Sequence, residues 1–190
     1  HFIELNQSNV ETNMNKEDRF IYIGRFVKEK QLDHLIKAYQ KFLESGHQTK
    51  LYLFGKDEDQ QLAMMKDLIS EYQLEDKVKI SNYTKKPLVE FGKSKASLLT
   101  SKYEGFGLTI MESIEVGCPV LSYDVRYGPN EIINHGKNGY LIERNNIDSL
   151  AQHMVDIIEN PMQHVKNQNK LKYSAAVKNY QHLLQTFNLL

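Results

Sequence analysis

Short apolar runs alternate along this chain with longer stretches in which apolar residues return every three or four positions. Phe20, Ile21, Tyr22 and Ile23 form the first run, which stops at Gly24 and gives way, after a charged loop, to Leu32, Leu35, Ile36, Tyr39 and Leu43. The first spacing is that of a buried strand and the second that of an amphipathic helix. The unit then recurs: residues 51–54 run up to Gly55, and Leu62, Met65, Leu68, Ile69 and Tyr72 mark the next helix. Further strands are predicted at 78–80, 96–100, 119–123 and about 140–142. Helices are predicted after Pro87, over about 107–115, near 129–134 and over 147–158, with a last one at about 174–187.

Strands of about five residues alternating with amphipathic helices require crossover connections, so the expected class is α/β: a doubly wound parallel sheet with helices on both faces and extra helices at the C-terminal end. No linker or internal repeat interrupts residues 1–190, which are read as a single domain. In such sheets ligands bind at the carboxyl ends of the strands. Function is therefore sought in the loops 24–30, 82–86 and 101–112.

Composition narrows the classes. With 24 basic and 24 acidic residues the formal net charge is zero, so the chain lacks the long-range field with which nucleic-acid binders gather phosphate backbones. No stretch reaches the roughly 18 apolar residues of a membrane span. The lone Cys118 forms no intrachain disulfide and reads as a small core hydrophobe of a reducing compartment. The first residues show neither a basic start nor a long apolar stretch, so the expected location is the cytoplasm.

Two constellations carry candidate chemistry. The first loop places Arg25 just after the strand and Lys30 just before a helix, a planar fork and a compact charge that together suit a diphosphate. The stronger signal is the segment Glu104, Gly105, Phe106, Gly107, Leu108, Thr109, Ile110, Met111, Glu112. Its glycines let a ligand approach the backbone, and the helix beginning near Gly107 presents unbonded N–H groups to an anion. The two glutamates are acceptors for sugar and ribose hydroxyls.

A glycine–arginine loop with a lysine five residues after the arginine, then two glutamates separated by seven residues with Gly-Phe-Gly between them, resembles the family 4 glycosyltransferases of two-domain GT-B architecture. The resemblance runs from about Arg19 to Phe187. It implies that this chain is the Rossmann-like C-terminal half that binds the nucleotide sugar, incomplete and inactive without an N-terminal acceptor-binding domain. It further implies that Arg25 and Lys30 hold the diphosphate, aided by backbone groups of Leu108 and Thr109. Glu112 takes the ribose, Glu104 with Gly105, Phe106 and Gly107 lines the transferred sugar, and Asn82 and Tyr83 lie by the nucleobase. Catalytic roles fall to Glu104, Arg25 and Lys30, with retention of the α configuration and no metal or other cofactor.

The stretch 122–141, with Tyr127, Gly128, Pro129 and Glu131, looks like the bacterial enzymes that attach glucose or N-acetylglucosamine to teichoic acid or serine-rich surface proteins. The implied donor is UDP-glucose or UDP-N-acetylglucosamine, and the implied acceptor an anionic poly(polyol phosphate) or a glycoprotein. Gln31 and Asn82 stand where many members have glycine, which implies altered loop shapes there. The rival reading is a non-catalytic subunit that binds a nucleotide sugar or glycan to support a partner transferase. A nicotinamide dehydrogenase is disfavoured, because Gly24-Arg25-Phe26 replaces the Gly-x-Gly-x-x-Gly turn.

Other features read as structural. Asp57, Glu58 and Asp59 precede a helix, where acids favour the start. The seven histidines (1, 34, 47, 135, 153, 164 and 182) lack ligand spacing, and His135 is expected to cap a helix end. Lys28, Lys30, Lys85, Lys86, Lys93 and Lys95 suggest either a solvated face or a funnel for an anionic ligand. Tyr180, Leu183, Leu184 and Phe187 suggest core or an interface with the absent domain, with peripheral contact at the inner membrane face as the alternative.

Overall fold

The computed structural model describes residues 15–163 and Val165. The helix expected at 174–187, His1, His164 and His182 lie outside the described residues. Six strands form one sheet: β1 (Arg19–Ile23), β2 (Lys50–Phe54), β3 (Val78–Ser81), β4 (Ala96–Leu99), β5 (Val120–Tyr123) and β6 (Gly139–Ile142). Every pairing is parallel, in the order β3-β2-β1-β4-β5-β6. Helices α1 (Leu32–Glu44), α2 (Gln61–Glu71), α3 (Pro87–Gly92), α4 (Leu108–Glu115), α5 (Pro129–Ile132) and α6 (Ile147–Glu159) connect and follow the strands. The predicted class is therefore observed, and the expected strands and helices within the described residues are present to within a residue or two at their ends.

The patterns explain the placement. β1 is buried at all five positions and takes the centre of the sheet between β2 and β4. Helix α1 buries Leu32, Leu35, Ile36, Tyr39 and Phe42, a stripe with helical spacing, against the sheet and α6. The buried Tyr39 hydroxyl stays satisfied by donating to Thr49 O at 2.8 Å. α6 begins where the Asn146 side chain accepts from Ser149 N at 2.9 Å, an N-cap worth about 1 kcal/mol. Cys118 is fully buried beside Ile21, Ile23 and Phe91.

The strand order reverses between β1 and β4, because the chain winds outward through β2 and β3 and then returns across β1. At such a switch point the loops leaving the two strands part in opposite directions and open a crevice. Here those loops are 24–30 and 100–107.

Candidate functional site

The loop after β1 is pinned from both sides. Gly24 N and Phe26 N donate to Phe54 O (3.0 Å) and Lys56 O (2.8 Å), so the segment runs alongside the end of β2. Gly55 is required there, since a Cβ would stand 2.1 Å from Gly24 O. Phe26 turns into the core at 2% exposure, whereas the side chain of Arg25 is 67% exposed. Lys28–Lys30 then form a single 3-10 turn. Thr100 at the end of β4 donates its hydroxyl to Lys30 O (2.8 Å) and Gln31 O (3.0 Å), and Lys102 N donates to Glu29 O (2.7 Å). These bonds across the switch point bring residues some seventy positions apart into one site.

Lys30 Nζ meets Glu104 Oε1 at 2.7 Å, with the two side chains only 20% and 9% exposed. Ser101 Oγ donates to the same carboxylate oxygen. An ammonium has three donors, so one bond to Glu104 leaves capacity for phosphate oxygens. Arg25 holds Glu58 at 3.2 Å in a largely exposed pair. Such a pair is worth about 0–1 kcal/mol, so Glu58 holds the guanidinium only weakly. Beneath the loop, Tyr22 donates to Arg25 O at 2.8 Å. Burial first, then the Glu104 carboxylate, push its phenol far above the usual range, with Arg25 opposing.

On the other wall, Gly107 caps α4 with φ 67°, and a Cβ there would stand 2.8 Å from Ile132 Cδ1. The first amides that bond back to Gly107 O belong to Ile110 and Met111, so those of Leu108 and Thr109 head the helix, where an α-helix has no acceptor of its own for its first amides. Thr109 and Glu112, three residues apart, share the face that is not fully buried, while Ile110, Met111 and Ile114 enter the core. Burial raises the Glu112 carboxyl above the ordinary range. Tyr83, exposed in the loop after β3, has its phenol raised by burial and then by the Glu112 carboxylate, which places the two within electrostatic reach. Asn82 is exposed beside it.

The predicted residues therefore fall into two groups: Arg25, Lys30 and Glu104 around the switch point, and Leu108, Thr109, Glu112 and Tyr83 along α4. Gly105 and the half-exposed Phe106 lie in the loop that joins them. Thr100, Tyr22 and Glu58 join the site without having been expected there from the sequence. Ser101 opens the expected loop 101–112, though no role was read for its side chain. Among the described residues a groove of about 570 Å³ lies between α1, the end of α2 and the loop into α6, and none of the predicted site residues lines it.

Gln31 sits at φ 45°, the left-handed conformation that glycine favours. Two expectations need correcting. Lys93 and Lys95 precede β4 and so lie at the amino end of the sheet, where Lys93 meets Glu17 at 3.6 Å and Lys95 N bonds Arg19 O; they cannot funnel a ligand to the cleft. His135 does not cap α5; its Nδ1 accepts from Leu141 N at 3.1 Å, on β6. The acidic triplet does serve the start of α2, since Asp57 accepts from Gln61 N at 2.9 Å, while Asp59 accepts from Lys28 N.

Fold and site together define an open, doubly wound α/β domain with a cationic, glycine-lined cleft at its switch point. The chain belongs to the glycosyl transferases group 1 family, whose model matches residues 4–188. It is 36% identical over 146 residues, 77% of this chain, to a poly(glycerol-phosphate) alpha-glucosyltransferase of Bacillus subtilis. It is 32% identical over 140 residues, 73% of this chain, to a poly(ribitol-phosphate) alpha-N-acetylglucosaminyltransferase of Staphylococcus aureus. These matches span 21% and 28% of those relatives' lengths. Its structure resembles that of S. aureus TarM solved with fondaparinux, alpha-GlcNAc-glycerol and UDP, with a TM-score of 0.75 and 30% identity over 80% of this chain and 30% of that one.

Proposed function

We propose that this chain is the donor-binding, C-terminal half of a retaining hexosyltransferase of the family 4, GT-B type, which takes UDP-glucose or UDP-N-acetylglucosamine. The observation that carries the reading is the meeting of Lys30 and Glu104 at 2.7 Å across the switch point, beside Arg25 and the start of α4. Lys30, Arg25 and the Leu108 and Thr109 amides hold the diphosphate. Glu112 accepts from the ribose hydroxyls, Tyr83 and Asn82 flank the base, and Glu104 with Gly105, Phe106 and Gly107 lines the sugar.

As the bond to the anomeric carbon breaks, negative charge builds on the leaving diphosphate. Preorganised cations and helix amides stabilise that charge more than the ground state, the service a metal gives in other sites. Metal-independent transfer follows from this reading. The acceptor, an anionic poly(polyol phosphate) or a glycoprotein, is brought by an N-terminal domain; the relatives' names support the anionic polymer.

Calorimetry on this chain with UDP, UDP-glucose and NAD tests the reading. UDP and UDP-glucose are expected to bind and NAD not, with Arg25→Ala weakening UDP by about tenfold or more, roughly the 1.5–3 kcal/mol of one charge-assisted contact. In a protein containing both domains, Arg25→Ala lowers kcat more than it raises KM for the donor. NAD binding, or an Arg25→Ala protein with wild-type UDP affinity and transfer rate, contradicts the assignment.

A further inference from the structure

Tyr83, Tyr103, Phe106, Leu108 and Tyr127 are the large apolar side chains left exposed among the described residues. All lie in the loops after β3, β4 and β5 or at the first residue of α4, hence at the carboxyl end of the sheet. Two of these rings carry a cation: Lys102 Nζ stands 5.3 Å from the Tyr103 centroid, and the Arg126 guanidinium 5.3 Å from that of Tyr127.

Tyr127 is unusual in its backbone as well. Its φ of 67° is unfavourable for a bulky L-residue, yet its side chain is 57% exposed and contributes little burial in return. Strain held at an exposed aromatic residue points to a contact made outside the fold. The next residue, Gly128, lies against the glycine loop, since a Cβ there would stand 3.4 Å from Gly105 O and 3.5 Å from Glu104 Cβ. The turn therefore borders the place assigned to the transferred sugar, and no part of the donor site as described uses Arg126 or Tyr127.

We propose that Lys102–Tyr103 and Arg126–Tyr127 form an acceptor subsite on this domain for an anionic polyol-phosphate chain. Each pair offers a charge for a phosphodiester and a ring for the C–H face of the adjoining polyol, the same alternation the polymer repeats. Asp124 and Glu131 flank the second pair in sequence, so selectivity comes from paired geometry rather than from net positive field. The inference rests on the transferase reading and adds an acceptor contact on the donor half.

The test titrates this chain with a synthetic glycerol-phosphate oligomer and, separately, with UDP. The oligomer binds with a salt-dependent affinity. Tyr127→Gly weakens it at least fivefold while leaving the thermal midpoint unchanged or higher, because glycine adopts the same φ without strain. Arg126→Ala weakens it and flattens the salt dependence. UDP affinity stays at the wild-type value in both variants.

Wild-type oligomer binding in Tyr127→Gly, or a lowered thermal midpoint that marks Tyr127 as a structural anchor, overturns the proposal. So does equal binding of neutral dextran, or binding to phosphatidylglycerol vesicles that the free oligomer fails to compete. No oligomer binding beside normal UDP binding defeats this inference alone, whereas a chain that fails to bind UDP defeats the donor reading.

Discussion

The ribose role proposed for Glu112 would link ligand binding to stability through one buried side chain. Burial holds its carboxyl above the ordinary value of about 4.3, so the folded chain keeps that proton to higher pH than the unfolded chain does. Stability from the protonated form is fully present below the unfolded value and is lost as pH rises through the raised one. Glu112→Gln, neutral throughout, is therefore expected to exceed the wild type in stability at pH 7, with the gap closing near pH 4, in urea denaturation at the two values. Ribose hydroxyls favour the charged carboxylate, so UDP binding releases a proton in the window above about pH 4.3. Calorimetry in buffers of different ionisation heat reads that release, and Glu112→Gln lowers it while UDP binds about ten- to a hundredfold more weakly, roughly the 1.5–3 kcal/mol of a bond to a charge. The same proton release in Glu112→Gln as in the wild type contradicts the ribose assignment.

At the scale of elements, Gly107 joins the loop to the helix. Its φ is 67°, and a Cβ at this position would come within 2.8 Å of Ile132 Cδ1, which leaves no room for a side chain. Gly107→Ala is expected to lose about 1–3 kcal/mol in urea denaturation, from the left-handed backbone and the displaced Ile132, and to weaken UDP binding as the first turn of α4 moves. A fully stable Gly107→Ala protein means the turn relaxes elsewhere and is not fixed by packing against α5. Elements of this kind were legible in the sequence. Strand runs such as 20–23 and helical stripes such as Leu32, Leu35, Ile36 and Tyr39 are local periodicities, and Gly24, Gly55 and Gly107 punctuate them. What joins them was not. Thr100 reaches Lys30 O from another strand, and Lys93 and Lys95 lie near the ligand loops in sequence but at the far end of the sheet. Charge proximity along a chain does not say which end of a strand a residue occupies. Likewise the left-handed Gln31 was hidden, because tertiary bonds from Thr100 hold a conformation its side chain disfavours.

For the molecule as a whole, the strand order puts β1 and β4 side by side with their following loops diverging. The motifs found separately in sequence therefore arrive at one crevice. No helix among the described residues is long and apolar enough to cross a membrane. In the proposed reading the crevice and the Lys30–Glu104 contact belong to the donor half of the reaction, centred on the diphosphate. A crystal structure of this chain with UDP measures that centre directly. The diphosphate is expected between Arg25, Lys30 and the amides of Leu108 and Thr109, with the ribose hydroxyls on Glu112. A diphosphate bound away from the β1–β4 crevice, or a ribose with Glu112 turned from it, contradicts the donor-site assignment.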